Sequence, residues 1–429
     1  MSADFDVVVI GAGPVGATTA SLLARHSGLA PERIALLAPE LATFTASDAR
    51  EATARGASAR GAAAPELRVS ALSRASEQIL GAAGAWERLD HVRLCAYERM
   101  RVWHASTPAD GPEVLCFDAA ELAEPNLGHI VENRALALAS WAALQAAGGH
   151  LIADRATCMH SDDGGVQLQC GRTTLRARLV VAADGAHSQV REWLGIGMDS
   201  HDYRQSAIVA NIITTKPHQH TAWQRFLASG PLALLPLFDG GCSIVWSADS
   251  ALAEELMALP AEDFAARLDA ASDFVLGRTQ LRSERLAVPL QRRMAQQLIG
   301  PRVALLGDAA HVVHPLAGQG VNLGFLDAAA LAEAVATAVR EREDPGATRV
   351  LRAYEQARLT HNALMSVAMS AFNELFSRES GPAGWLAGRL LGLAGARAVT
   401  RRWFARRALG LSGERPALAR ASQLPRSAA

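Results

Sequence analysis

Residues Val303–Leu331 read VALLGDAAHVVHPLAGQGVNLGFLDAAAL, and the rest of the chain can be arranged around them. A short apolar run, Val303 to Leu306, stops at Gly307-Asp308. A loop with His311, His314 and Pro315 follows, and a helical pattern restarts near Gly320 and continues toward Arg340. The implied order is strand, loop, helix. A helix N-terminus leaves backbone N–H groups unpaired and presents the positive end of a dipole, so a negatively charged group can dock there. Gly318 and Gly320 flank Gln319, letting the backbone approach a flat ligand with no side chain in the way.

The N-terminus supplies the partner to this stretch. Phe5 to Ile10 (FDVVVI) is a continuous apolar, β-branched run, the pattern of a strand buried on both faces of a parallel sheet. It leads into Gly11-Ala12-Gly13-Pro14-Val15-Gly16 and then a helical pattern from Pro14 to His26. A GxGxxG motif is weak alone, but between a strand and a helix it is the dinucleotide fingerprint. Gly11 serves the turn, Gly13 the approach of a pyrophosphate, and Gly16 the packing of helix on sheet. A second strand, Arg33 to Ala38, should end in an acidic residue for the adenosine ribose. Ala38 stands there, and Glu40, past Pro39, is the nearest carboxylate.

Between Leu41 and Pro65 the chain is mostly Ala, Thr, Ser, Gly and Arg, too poor in large apolar groups to pack, and is expected to be an inserted loop. Glu66 to Leu89 shows a helical face through Leu72, Ala75, Ile79 and Leu80. Tyr97 to Ala105 and Glu113 to Asp118 alternate as strands, and Leu127 to Leu144 enters a helix that Asn133 would cap. Leu179 to Ala183 is another apolar strand, ending in Asp184-Gly185. From Ala207 to Ser247 the pattern changes to antiparallel sheet, with Arg225 on a helix between strands, and a helical stretch covers about 251 to 276. Cofactor motifs lie on both sides of this sheet, so the two modules must be interleaved. The expected division is 1–85, 131–189 and 286–345 for a discontinuous dinucleotide domain, 86–130 and 190–285 for a sheet domain over the substrate, and 346–429 for a helical C-terminal region. Beyond Pro345, Leu351, Tyr354, Leu359, Leu364, Val367, Phe372 and Phe376 are core candidates.

Composition narrows the possibilities. With 429 residues, half of them hydrophobic, the chain has ample material for a large core. A formal net charge of −1 gives no global field for nucleic acid. Five cysteines without a CxxC pair argue against a disulfide framework or zinc site, and His311-x-x-His314 has no carboxylate at zinc-site spacing. A cytoplasmic protein fits: the N-terminus has no signal-peptide pattern, and no uncharged apolar run of about 18 residues is present. Trp385 to Gly410 carries six arginines and no acid among large apolar residues, so it either packs on the protein or lies on an anionic membrane from the cytoplasmic side.

Read together, GAGPVG, ALS, ENRAL, ADGAHS and GDAAHVVHPLAGQGVNLG stand in the order found in the FAD-dependent aromatic-ring monooxygenases of the p-hydroxybenzoate hydroxylase class. The ending HPLAGQGVNLG followed by Asp327 resembles the ubiquinone-biosynthesis hydroxylase branch, the UbiH/UbiF type. The resemblance covers nearly the whole chain except Leu41 to Pro65. It implies an α/β fold in which a Rossmann-like, glutathione-reductase-type FAD domain is interleaved with a mixed or antiparallel sheet domain, plus C-terminal helices. By resemblance FAD is held by Gly11, Gly13, Pro14, Gly16, Glu40, Arg68, Arg134, Asp184, Gly307, Asp308, Pro315, Gly318, Gln319, Gly320 and Asn322. Pro315, Gly318, Gln319 and Gly320 would line the flavin, and Glu66 replaces the family's Asp two residues before Arg68. The implied chemistry is reduction of FAD by NADPH or NADH, capture of O₂ as a flavin C4a-hydroperoxide, and hydroxylation of a lipophilic, prenylated phenol or quinone precursor. The cofactor carries the chemistry, so no side chain need be a nucleophile. Three alternatives stay open: an FAD-dependent hydroxylase of another phenol, a flavin reductase or dehydrogenase, and a non-catalytic FAD-binding subunit of a quinone-biosynthesis complex.

Overall fold

The computed structural model describes residues 4–43, 64–162, 164–313, 320–360, 362 and 415–420. Strand β1 (Phe5–Ile10) runs into helix α1 (Pro14–His26) and β2 (Ile34–Leu37). Next come β3 (Val69–Leu72), α2 (Arg74–Ala82), β4 (Cys95–Tyr97), β5 (Arg99–His104), β6 (Leu115–Asp118), β7 (Gly128–Glu132) and α3 (Asn133–Ala146). β8 (His150–Ile152), β9 (Ala156–Asp162), β10 (Gly165–Cys170) and β11 (Thr173–Ala182) lead through the short α4 (Gln189–Trp193) to the second half. That half holds β12 (Met198–Thr214), β13 (Thr221–Leu227), β14 (Gly230–Pro236), β15 (Cys242–Asp249), α5 (Ser250–Ala258), α6 (Ala261–Ala271), β16 (Thr279–Leu281) and β17 (Leu286–Ala295). It closes with β18 (Ile299–Gly300), β19 (Val303–Leu305), β20 (His311–Val312) and α7 (Gly320–Arg340).

These strands form three sheets. The first has the order β18-β19-β11-β1-β2-β8, with β10 and β9 continuing from β11 as a hairpin. Its centre is parallel: Val7, Val8 and Val9 face Leu179, Val180 and Val181 on one side, and Val8 faces Ala35 on the other. All seven are fully buried, which explains why β1 and the end of β11 from Leu179 are apolar without alternation. Helix α1 packs against α3 through small groups. Thr18 Oγ1 lies 3.0 Å from Ser140 Oγ, and Ser21 Oγ donates to the Ser140 carbonyl (2.8 Å).

The second sheet has nine strands, ordered β20-β17-β12-β15-β14-β13-β5-β6, with β16 on the end of β12. Its back face, Trp103, Ile208, Ile212, Leu234, Ile244 and Trp246, is closed by Leu256 of α5 and by Phe264 and Leu268 of α6. A small third sheet, β3-β7-β4, sits at the junction.

Several sequence expectations are corrected here. Arg225 lies on strand β13 rather than a helix; its Nη1 donates to the carbonyls of Ala270 and Ala271 in α6 on the back face. Leu72 belongs to β3, not to a helical face, and α2 starts only after Ser73, whose hydroxyl accepts from Ser76 N. Asn133 does not cap α3. It is already in the first turn, Glu132 holds the cap position, and Asn133 Oδ1 accepts from Ser70 Oγ (2.6 Å). The 251–276 stretch is two helices broken at Pro260. β17 pairs with β12 in the nine-stranded sheet, although the sequence division placed residues from 286 with the cofactor module.

Helix α7 is long and apolar enough to cross a membrane by composition alone, since its central window holds few charges. It lies instead inside the fold, with Leu323, Phe325, Ala328, Ala329 and Leu331 buried. Leu351 and Tyr354 are buried as expected and Leu359 packs on the core. Leu364, Val367, Phe372, Phe376 and the basic stretch 385–410 lie outside the described residues, as do 44–63.

Candidate cofactor site

The carboxyl ends of β1, β2, β11 and β19 converge, the place where open parallel sheets bind ligands. At the end of β1, Gly11 takes a φ of +106° and sits so near β11 that a Cβ would lie 2.3 Å from the Ala183 carbonyl oxygen. Gly16 is equally constrained, with a Cβ 2.0 Å from the Gly11 oxygen. Gly13 is different. Nothing stands within 4 Å of the Cβ it lacks, so it opens onto free space while serving as the cap of α1. Pro14 occupies the first helical turn and no acidic residue stands there, leaving the helix N-terminus positive. Trp141 Nε1 fixes the loop by donating to the Ala12 carbonyl (2.8 Å).

Glu40 is exposed on the short 3₁₀ turn Pro39–Thr43, just beyond the end of β2. At the end of β11, Asp184 Oδ2 accepts from Val190 N (3.2 Å), while its Oδ1 is buried without a hydrogen-bond partner among the described residues. A buried carboxylate oxygen without a donor is costly, so this atom suits a ligand hydroxyl or amide. Gly185 beside it opens on free space as Gly13 does.

The opening stretch meets this turn. Arg191 is buried and donates to the Ala309 carbonyl (2.9 Å) and the Ala186 carbonyl (3.2 Å), tying the Asp184 turn to the Gly307 turn. Burial, then the neighbouring Arg293, holds its pKa below the usual arginine range. Gly307 has a φ of +59° and lies against Val15, as does Gly324 of α7; their missing side chains let α1 and α7 close on the turn. Asp308 is open to solvent by area, yet enough protein surrounds it for dehydration to raise its carboxyl pKa, with His311 and Arg68 pulling it down. Both observations hold for a group on the floor of a deep cleft. Arg68 is exposed and faces that cleft.

Beneath the cleft is a network that sequence reasoning did not assign. Asp327 is fully buried; its Oδ2 pairs with His311 Nε2 (2.5 Å) and accepts from Gly307 N (3.2 Å), and its Oδ1 accepts from Arg358 Nε (2.7 Å) and Asn362 Nδ2 (3.0 Å). Although burial opposes ionisation, His311 and Arg358 hold the Asp327 carboxyl well below the usual range. The signal was available only as a lone Asp in an apolar helix.

Other predicted site residues are placed less directly. Arg134 is exposed, and its backbone N–H donates to Glu66 Oε2 (3.4 Å). Burial, then the nearby Glu132, raises the Glu66 pKa. Asn322 is buried, with Nδ2 donating to the Ala71 carbonyl and Oδ1 accepting from Ser73 N and Ser76 Oγ, so its side chain joins α7 to β3 and α2. Gly320 begins α7, and among the described residues no atom lies within 4 Å of the Cβ it lacks. Pro315, Gly318 and Gln319 lie outside the described residues, as does His314. Among the described residues no group of three His, Cys, Asp or Glu could hold a metal.

Comparison with known proteins agrees with this geometry. The FAD binding domain family matches residues 152–367. The 3-demethoxyubiquinol 3-hydroxylase of Escherichia coli K12 is 35% identical over 407 residues, covering 91% of this chain and 94% of its own. This chain belongs to the FAD-dependent ubiquinone-biosynthesis hydroxylases. Another member, the human mitochondrial ubiquinone biosynthesis monooxygenase COQ6, is 32% identical over 448 residues, with 92% and 90% covered. The UbiL ubiquinone hydroxylase of Rhodospirillum rubrum is 36% identical over 381 residues, with 88% and 83% covered. The fold recurs in the p-nitrophenol 4-monooxygenase PnpA of Pseudomonas putida DLL-E4, with a TM-score of 0.72 at 20% identity, covering 97% of this chain and all of that one. As in the rest of this hydroxylase family, the cofactor is FAD and the chain is a monooxygenase. The open faces of Gly13 and Gly185 and the orphaned Asp184 oxygen fit that cofactor.

Proposed function

We propose that this chain hydroxylates the ring of a prenylated phenol or quinone precursor in ubiquinone biosynthesis, using NAD(P)H and O₂. The observation that carries the proposal is the front face of the nine-stranded sheet. By strand register Met100, Val102, Leu115, Phe117, Ala222, Phe226, Ala233, Leu235 and Val245 share it, and among its described residues β5, β6, β13, β14 and β15 contribute no lysine or arginine. A small aromatic acid would need a buried cation there. Lys216 follows β12, and Arg225 points to the back face.

When bound, FAD supplies the reductive activation of O₂. The chain's part is to hold it at Gly11, Gly13, Asp184 and Asp308, to place the positive ends of α1 and α7 toward its negative charge, and to keep water from the apolar face. In this proposal residues 1–85 and 131–189, with the segment from β18 through α7, bind the cofactor; the nine-stranded sheet binds substrate; and the basic stretch 385–410 meets either an anionic membrane or a partner in quinone biosynthesis. The test is oxygen uptake with NAD(P)H in detergent, comparing a phenol carrying several isoprene units with the tailless phenol. Burial contributes roughly 0.8 kcal/mol per methylene, so the prenylated compound should turn over faster at low concentration. Faster coupled hydroxylation of the tailless compound would leave a general phenol hydroxylase instead.

A further inference from the structure

On the front face of the sheet, one buried polar side chain has apolar residues directly opposite it on both neighbouring strands. Gln224 is 4% exposed, on the central part of β13. Its sequence neighbours Trp223 and Arg225 turn to the back face, toward the cluster under α5 and α6. Ala222 and Phe226, two residues away on either side, pack on the front, so the period of a strand puts Gln224 there too. Across the sheet it pairs with Val102 of β5 and Ala233 of β14. Val102, Leu115 and Phe226 cluster with Val313 at the end of β20 and Leu323 in the first turn of α7. The amide therefore faces the side of the sheet turned toward the cofactor segment.

Among the described residues its side-chain amide has no hydrogen-bond partner, and its polar atoms keep some exposure to space. A buried primary amide carries two donors and an acceptor and is costly to leave unmet. Being neutral, it suits a neutral ring oxygen better than a carboxylate.

We propose that Gln224 is the residue that recognises the ring hydroxyl or carbonyl oxygen of the substrate, and by anchoring it decides which ring carbon faces the flavin. This rests on the reading of the site as a phenol hydroxylase. The ring oxygen exchanges a hydrogen bond with the amide, and the apolar remainder of the face takes the ring and tail. Gln224 is a specificity and positioning residue; it transfers no proton.

The test is a binding cycle on the FAD-loaded full chain, using 2-farnesylphenol and farnesylbenzene, which differ only in the ring hydroxyl, with Kd read from perturbation of the flavin absorbance. The wild type should favour the phenol by about 10-fold or more, the scale of one neutral hydrogen bond in a buried site. Gln224→Met, similar in shape and apolar, should bring the preference to within about 2-fold while FAD content is unchanged. Should that variant lose FAD, Gln224→Leu carries the same comparison. With NAD(P)H the variant should also release more hydrogen peroxide per product, or product hydroxylated at a second position, neither of which a purely structural role would produce. An unchanged preference in the variants, or equal binding of both probes by the wild type, overturns the assignment. If the wild type hydroxylates 2-farnesylphenol and the preference survives substitution, only Gln224 is wrong. If the preference depends on Gln224 and no probe is hydroxylated, the residue stands and the proposed function falls.

Discussion

Asp327→Asn removes one charge from the centre of the buried network while nearly preserving its shape. Asp327 is fully buried and Arg358 is 2% exposed, so the substitution leaves the guanidinium facing only neutral oxygens here, that of Asn362 and that of the new amide. Breaking a buried pair from one side costs about 3–5 kcal/mol, because the surviving charge stays dehydrated. Against a total stability of about 5–15 kcal/mol this is a large share. At roughly 2 °C per kcal/mol in a chain of this size, melting should fall by on the order of 5–10 °C. The assay is thermal melting followed by circular dichroism and by flavin fluorescence, and FAD release should shift with it because Asp327 also holds Gly307 N and His311. Adding Arg358→Met should restore part of the loss, since no buried charge is then left unpaired. The pH dependence has a definite sign. The Asp327 carboxyl is depressed in the folded state, so its contribution is complete above the unfolded carboxylate range and is lost only as pH falls below about 4. The gap between wild type and Asp327→Asn should therefore close as pH falls below about 4. Melting of Asp327→Asn within 1 °C of wild type, or a double variant whose losses simply add, would refute the reasoning.

Other outcomes follow from the glycines and the turn between them. A Cβ added at Gly13 has no described atom within 4 Å, so Gly13→Val should give a folded, colourless protein, seen as normal circular dichroism without flavin absorbance; retention of full flavin would displace the site. Gly11→Ala should fail earlier, in folding, because of its φ of +106° and the Ala183 contact, and soluble yield will show it. Gly320→Pro keeps a residue tolerated at a helix start but removes an N–H that the proposed site sets near the negative charge of the reduced flavin. Its reduction potential should fall by about 20 mV for each ~1 kcal/mol lost, with FAD affinity little changed, as spectroelectrochemistry can measure. Arg191→Gln should loosen the Asp184 and Gly307 turns together and raise the FAD Kd by about tenfold or more in a fluorescence titration, whereas Arg267→Gln on the exposed side of α6 should leave it unchanged.

How legible these features were depended on range. β1, the Leu179–Ala182 end of β11 and α7 were readable because strands buried on both faces are continuously apolar and long helices keep their period; the first, partly polar half of β11 was not read, and α7 runs from Gly320 to Arg340 as its sequence suggested. Gly11, Gly13 and Gly16 were readable because their backbone demands admit few other residues. β13 was misread because TAWQRFL alternates weakly, with Arg225 and Gln224 inside a strand whose two faces are both covered. Asn133 looked like a cap by type, yet the cap position belongs to Glu132, which pairs with Arg93 in space. Partners of Asp327 lie up to 35 residues away and those of Asn322 about 250 away, separations no local pattern encodes. Gln224 gave no signal in sequence, because its meaning lies in having apolar neighbours from other strands.

The most direct test of the central claim is the origin of the oxygen atom in the product. The purified, FAD-loaded chain would be run with NAD(P)H and 2-farnesylphenol in detergent under ¹⁸O₂, and the product examined by mass spectrometry. A monooxygenase places one ¹⁸O atom on the ring for each substrate consumed, and none when the label is in the water. NAD(P)H oxidation with all the oxygen recovered as peroxide and no labelled product, or label arriving from water, would contradict the account.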